Sequence, residues 1–164
     1  MEKLISIGLV EVGQWVLDSR KEGRIRHEIQ DAYLAQEAIL YCFMSSGVPY
    51  YFGISDNSLK ERMDNYKAGK EGGTAGSTNK KVHTKILEFL KNNKEVKIYI
   101  LQPKYQLEYE GFEINIAKGI EHSLIKQFDS EDIWNERGSS KSKKYLFRVH
   151  LPVKSNQTTL LCFN

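Results

Sequence analysis

Apolar positions fall into short alternating runs early in the chain and into helical spacing later. From 12 to 17, Val12, Gln14 and Val16 alternate with Gly13, Trp15 and Leu17, the period of a strand, before a polar turn from Asp18 to Gly23. Residues 24–29 set Ile25, His27 and Ile29 on one face and Arg24, Arg26 and Glu28 on the other, so a hairpin is predicted. After a polar bridge from Asp31 to Glu37 come two aromatic-rich runs, 38–44 and 48–54. They are separated by Ser45-Ser46-Gly47 and closed by Ser55-Asp56-Asn57. Runs this short, bounded by turn residues, predict a second antiparallel hairpin, buried on at least one face.

Asn57 or Ser58 then caps a helix in which Leu59, Arg62, Met63 and Tyr66 recur at helical spacing. The glycine-rich stretch 69–78 predicts a flexible loop, and 79–92 a helix with Val82, Ile86, Leu87, Phe89 and Leu90 inward. Residues 95–101 alternate as a third strand, and a tyrosine-rich connector leads to Gly111. The run 114–128 predicts a long amphipathic helix with Ile116, Ala117, Ile120, Leu124, Ile125 and Phe128 on its buried stripe. Beyond a loop at 138–144, residues 145–151 and 158–163 predict closing strands. The expected class is α/β in the mixed α+β sense: a small, mainly antiparallel three-stranded central sheet flanked by helices, with an N-terminal hairpin and C-terminal strands. One domain is expected over 1–164, with an N-terminal extension at 1–34, a core at 38–135 and a C-terminal extension at 136–164.

The 164 residues are 40% hydrophobic, enough for a core. The net charge is only +3, so any contact with a polyanion must rest on local patches and depend on salt. No apolar run approaches the ~20 residues that span a bilayer, and no signal-like segment opens the chain, so a cytoplasmic protein without a membrane partner is expected. Cys42 and Cys162 are too few for a disulfide framework, and the four histidines lack metal-ligand spacing. Phosphate-binding glycine motifs and a His-Glu-x-x-His signature are absent from the sequence.

What stands out is an ordered set of polar groups inside buried-looking elements. Tyr41 lies in the first strand of the second hairpin, and Tyr51 ten residues later in its second strand, before Gly53. Arg62 sits in the next helix, one turn before Tyr66; Glu121 lies mid-way along the long amphipathic helix, and Asn135 fourteen residues further on. Taken singly, Tyr41 and Tyr51 read as core aromatics, Arg62 and Glu121 as an ion pair and Asn135 as a turn residue.

Taken together, the order resembles the GIY-YIG nuclease superfamily. Ile39-Leu40-Tyr41 matches the first triplet in its Tyr, and Tyr51-Phe52-Gly53 matches the second with Phe in place of Ile. Leu59, Arg62 and Tyr66 match the following helix, Glu121 the metal-binding Glu, and Asn135 the terminal Asn, over roughly residues 38–135. The resemblance implies cleavage of double-stranded DNA with Mg²⁺ or Mn²⁺. Tyr41 would be general base, Arg62 would stabilise the phosphorane, and Glu121 would hold the metal. Tyr51 and Tyr66 would orient water or phosphate, with Gly53 and Asn135 in support. These residue types suit the chemistry: a guanidinium is always charged and forks onto phosphate oxygens, and one carboxylate plus waters is a normal Mg²⁺ set. Many relatives carry a cation soon after the second triplet; here Ser55-Asp56-Asn57 stands there, leaving Lys60, Lys67 and His83 as candidates to assist Arg62.

Further DNA-contact candidates are Lys80 and Lys81 at a helix start, where free N–H groups favour anions, and Lys143 and Lys144 in a second basic cluster. Arg24 and Arg26, near the first turn, read either as a solvated face or as an arm reaching phosphates. A chain of this size with small decorations suggests a restriction-type, sequence-specific homodimer. The alternatives are a structure-selective, repair or phage nuclease of the same chemistry, and a catalytically silent nucleic-acid-binding module.

Overall fold

In a computed structural model of the chain, residues 2–69, 73–104, 107–128 and 132–135 are described. The elements are α1 (Glu2–Ser6), β1 (Val10–Leu17), β2 (Ile25–Ile29), α2 (Asp31–Leu34), β3 (Ile39–Ser45), β4 (Val48–Ser55), α3 (Leu59–Ala68), α4 (Gly73–Lys91) and β5 (Val96–Leu101). They are followed by β6 (Leu107–Tyr109), β7 (Phe112–Ile114) and α5 (Ile116–Gln127). Both predicted hairpins form. β3 and β4 are joined through Ser46 and Gly47, which both take positive φ, the geometry of a tight hairpin turn whose twist matches its strands.

The main sheet has five strands rather than three, in the order β2-β1-β5-β3-β4, antiparallel throughout. The N-terminal hairpin does not stand apart: β1 pairs along β5, with Val10 opposite Ile100 and Trp15 opposite Val96. A register shift between Glu11 and Gly13 makes Val12 and Trp15, three apart, the inward positions of β1, which simple alternation does not foresee.

Because the side chains of a strand alternate, β3 feeds two cores. Ile39, Tyr41 and Phe43 pack with Trp15, Met63, Tyr66, Val82 and Ile86 under α3 and α4. Leu40, Cys42 and Met44 pack with Leu4, Leu9, Phe52, Ala117 and Leu124 under α1 and α5. Every residue of β3 is therefore buried, as a strand covered on both faces must be.

Three boundaries differ from expectation. α4 begins at Gly73, inside the predicted loop. α5 begins at Ile116, where the Asn115 side chain accepts from Lys118 N at 2.9 Å, a polar N-cap that stops the helix short of Ile114. The tyrosine-rich connector folds into the β6–β7 hairpin around Glu110 and Gly111, both at positive φ. The predicted strands at 145–151 and 158–163, the 136–164 extension, Lys143 and Lys144 lie outside the described residues. Among the described residues, no helix is long and apolar enough to cross a membrane.

Candidate active site

α3 is fixed at both ends. Ser58 caps it by accepting from Glu61 N at 3.2 Å, and Gly69 ends it in the left-handed conformation. Leu59, Met63 and Tyr66 turn into the core, which leaves Arg62 half-buried at the rim, directly above Tyr66. Across the hairpin Tyr41 pairs with Gly53 and Phe43 with Tyr51, so Tyr41 and Tyr51 share the face that Tyr66 covers.

The three tyrosines and Arg62 form one hydrogen-bonded tetrad. Arg62 Nε donates to Tyr41 Oη at 2.8 Å and Arg62 Nη2 to Tyr66 Oη at 2.7 Å. Tyr41 and Tyr66 hydroxyls lie 2.6 Å apart, and Tyr66 Oη donates to Tyr51 Oη at 3.1 Å. A phenol has a single proton. With that of Tyr66 given to Tyr51, Tyr41 donates to Tyr66, and the chain runs Tyr41 to Tyr66 to Tyr51. The guanidinium also stacks over the Tyr66 ring at 4.6 Å, a cation–π contact.

Space for the tetrad comes from Gly53. A Cβ there would lie 2.3 Å from Tyr41 Oη and 2.4 Å from Cζ. Tyr41 and Tyr66 are wholly buried and Tyr51 is 6% exposed. Burial pushes the Tyr41 and Tyr66 hydroxyls well above the ordinary phenol value, so both are neutral near pH 7. Burial works against the Arg62 charge too, but the surrounding phenol oxygens more than offset it, and the group is cationic.

Glu121 stands on α5, which packs against β3 and β4 from the other side of the sheet. It is half-buried and, among the described residues, makes no hydrogen bond or ion pair. Burial raises its pKa, while the positive charges of Arg62 and Lys118 pull it down. Arg62 and Glu121 thus act on each other electrostatically, with no hydrogen bond or ion pair between them. A half-buried carboxylate whose oxygens are not engaged fits a hard divalent cation with waters filling the remaining positions. Among the described residues no cluster of three or more His, Cys, Asp or Glu side chains forms a fuller cage.

Asn135 grips the middle of β4: its Oδ1 accepts from Phe52 N at 2.9 Å and its Nδ2 donates to Phe52 O at 2.7 Å. It therefore supports the strand carrying Tyr51 and Gly53 and does not join the tetrad. His83 places Nδ1 2.9 Å from the Tyr66 carbonyl oxygen, behind the site. Lys67 lines a pocket with Arg20, Lys21, Arg24 and Asp18, the last paired with Arg20 at 3.2 Å, and Arg26 pairs with Glu28 at 2.7 Å. Lys60 pairs with Asp64 at 2.7 Å, and Lys80 and Lys81 are exposed on α4. On the solvent side Arg62 opens into a cavity of about 230 Å³ lined also by Ser55, Asp56 and Asn57. A feature the periodicity did not single out is the packing of Tyr50, Phe89 and Trp134; the lone Trp in a polar stretch was its only sequence signal.

No protein-family model matches this chain, and no curated protein matches it. Among solved structures, a mutant of bacteriophage T4 EndoII superposes with a TM-score of 0.58 over 78% of this chain and 93% of its own, at 16% identity. The restriction endonuclease Hpy188I, in complex with product DNA, gives a TM-score of 0.46 over 73% of each chain, at 18% identity. The likeness to EndoII is one of fold: this chain shares the architecture of the phage protein over nearly all of that protein's length.

Proposed function

We propose that this chain is a metal-dependent endonuclease of the GIY-YIG kind that hydrolyses phosphodiester bonds in double-stranded DNA. The observation that carries this reading is the hydrogen-bonded tetrad, two phenol hydroxyls on one guanidinium and a third joined through Tyr66, together with a half-buried carboxylate on which the Arg62 charge acts. The fold shared with EndoII accords with it.

Phosphodiester hydrolysis needs an attacking water, charge stabilisation at the phosphorane and help for the leaving oxygen. Arg62 spends one N–H on Tyr41 and one on Tyr66, which locks its plane and leaves its remaining N–H groups to receive phosphate oxygens from the solvent side. Tyr41 is a neutral, enclosed phenol, so it acts as base only by passing its own proton on as it takes one. The hydrogen bonds to Tyr66 and Tyr51 offer the path: each phenol passes on its own proton as it takes one, and Tyr51, the one residue of the three with any exposed surface, gives its proton to solvent. Glu121 would hold Mg²⁺ or Mn²⁺, which supplies neutralisation of the phosphate and of the departing oxygen's charge. Gly53 and Asn135 keep Tyr41 and β4 in place. Lys67, Lys80, Lys81, Arg24 and Arg26 would supply cations for the duplex backbone, Arg26 while paired with Glu28.

A sequence-specific, restriction-type role as a cytoplasmic homodimer is the preferred biology, since two related sites cut both strands of a symmetric sequence most simply. The fold likeness to EndoII favours a phage-type nuclease of the same chemistry as a second reading. Digestion of plasmid with and without Mg²⁺ tests both. Discrete bands support the first and a broad smear the second. A gel shift without cutting in Mg²⁺ or Mn²⁺ overturns the enzymatic reading.

A further inference from the structure

A second recess opens beside the tetrad, between α4 and the start of β4, with a volume of about 530 Å³. Tyr50, Phe89 and Trp134 form its floor, their rings 4.8 to 5.7 Å apart by centroid, and Trp134 N donates to Tyr50 O at 2.7 Å, pinning the indole to β4. Lys80, Lys81 and Lys85 form its rim; Lys85 also pairs with Glu88 at 3.0 Å. Among the described residues lining it, Asp132 is the one carboxylate against those three lysines.

We propose that this recess holds an unpaired nucleotide of the DNA substrate, its base against the aromatic floor and its neighbouring phosphates on the lysine rim. The proposal rests on the DNA reading above and adds to it a substrate class: DNA with an unstacked nucleotide next to the cleaved linkage. Three observations carry it. The volume lies within the usual range for a small-ligand site, where a single base fits and a duplex does not. Half-buried aromatic faces below a cationic rim are the combination that receives bases outside a helix, because every base has a π-face and every step a phosphate. Finally, both walls adjoin the tetrad: Tyr50 immediately precedes Tyr51, and His83, between Lys81 and Lys85, sits on the Tyr66 carbonyl.

The test measures binding in EDTA, so that no cleavage intervenes. The probes are a fluorescein-labelled twelve-residue deoxythymidine oligonucleotide and a matched pair of duplexes, one intact and one with a single-nucleotide gap, followed by anisotropy across a KCl series. The wild type is expected to bind the gapped duplex at least five-fold tighter than the intact one. Trp134→Leu, which keeps apolar packing, is expected to weaken oligonucleotide binding about ten-fold or more. The triple variant Lys80→Gln, Lys81→Gln, Lys85→Gln lies on the exposed face of α4 and leaves the floor untouched. It is expected to flatten the dependence of log affinity on log salt by about two. Equal affinity for the two duplexes, wild-type oligonucleotide binding by Trp134→Leu, or an unchanged salt slope would each overturn the proposal. If plasmid is never cut yet oligonucleotide binding depends on Trp134, the endonuclease reading fails and the recess stands. If plasmid is cut and the recess variants bind like wild type, the recess alone fails.

Discussion

Gly53→Ala puts one methyl group where the structure leaves no room for it. Gly53 has ordinary negative φ, so the substitution carries no backbone strain, and its whole effect is the collision with Tyr41. The new Cβ would stand 2.3 Å from Oη, 2.4 Å from Cζ and 2.8 Å from Cε2, where real contacts stay beyond 3.0 Å. The ring must withdraw by about 0.7 Å or more, yet Phe43, Tyr51 and Tyr66 enclose it with centroids at 5.6 to 6.2 Å. Overpacking of this kind costs about 1–3 kcal/mol. Such a shift also moves the hydroxyl relative to Tyr66 and Arg62, now 2.6 and 2.8 Å away, and so spoils the geometry of both hydrogen bonds. A displacement near 1 Å at a reacting group costs about a hundred-fold in rate. Urea melts read the first effect, and single-turnover cleavage of plasmid reads the second. In a Tyr41→Leu background, which removes the ring, the same methyl should cost less than about 0.5 kcal/mol, giving a coupling of about 0.5 kcal/mol or more. A Gly53→Ala protein with the wild-type urea midpoint would refute the reasoning, whatever its activity.

Tyr41→Phe keeps the ring and removes the oxygen that accepts from Arg62 Nε; it should lose about 1–3 kcal/mol in urea melts and orders of magnitude in single-turnover rate. Glu121 has a folded-state pKa above its unfolded value, so its contribution favours the fold below the ordinary carboxylate range and is lost as pH rises through the raised value. Glu121→Gln should therefore raise the melting temperature at pH 7, with the gain vanishing below about pH 4. The same variant should abolish cleavage while keeping or strengthening DNA binding, and cleavage at the wild-type rate would remove Glu121 from the metal role. Asn135→Ala leaves Phe52 N and O without their side-chain partners and should cost about 1–3 kcal/mol, read as a lower urea midpoint with an unchanged slope.

The parts of the fold legible in the sequence are those where local pattern and tertiary need agree. β3, β4 and β5 are short runs of aromatic and β-branched residues between turn residues, and of the two candidate caps, Asn57 and Ser58, it is Ser58 that caps α3. Arg62 and Tyr66 sit one turn apart in the same helix, so their meeting was legible as well. The start of α4 was not. Glycine disfavours helix by about 1 kcal/mol per residue, but once a helix is nucleated each further residue adds a bond at little cost. The bulge in β1 was also invisible, because alternation carries no mark of an inserted residue. In the site, sequence order brought Tyr41, Tyr51, Arg62 and Tyr66 to one place but said nothing of the hydrogen-bond direction among them. Nor did it foresee that His83 would be held by a main-chain carbonyl or that Asn135 would hold a strand, since both contacts depend on segments distant in the chain.

β4 is one of the two edge strands of the sheet, and Asn135 reaches it from 83 positions downstream, offering Phe52 one donor and one acceptor as a neighbouring strand would. During synthesis the five strands are all made before this amide emerges from the ribosome. The margin that carries Tyr51 is thus fastened only after the whole sheet has been made, and until then the Phe52 amide and carbonyl groups are free to pair with whatever extended peptide comes near. A nascent or truncated product ending before residue 135 would contain every phenol of the tetrad yet lack the latch on its outer wall. Such a product would be prone to stick to its own kind.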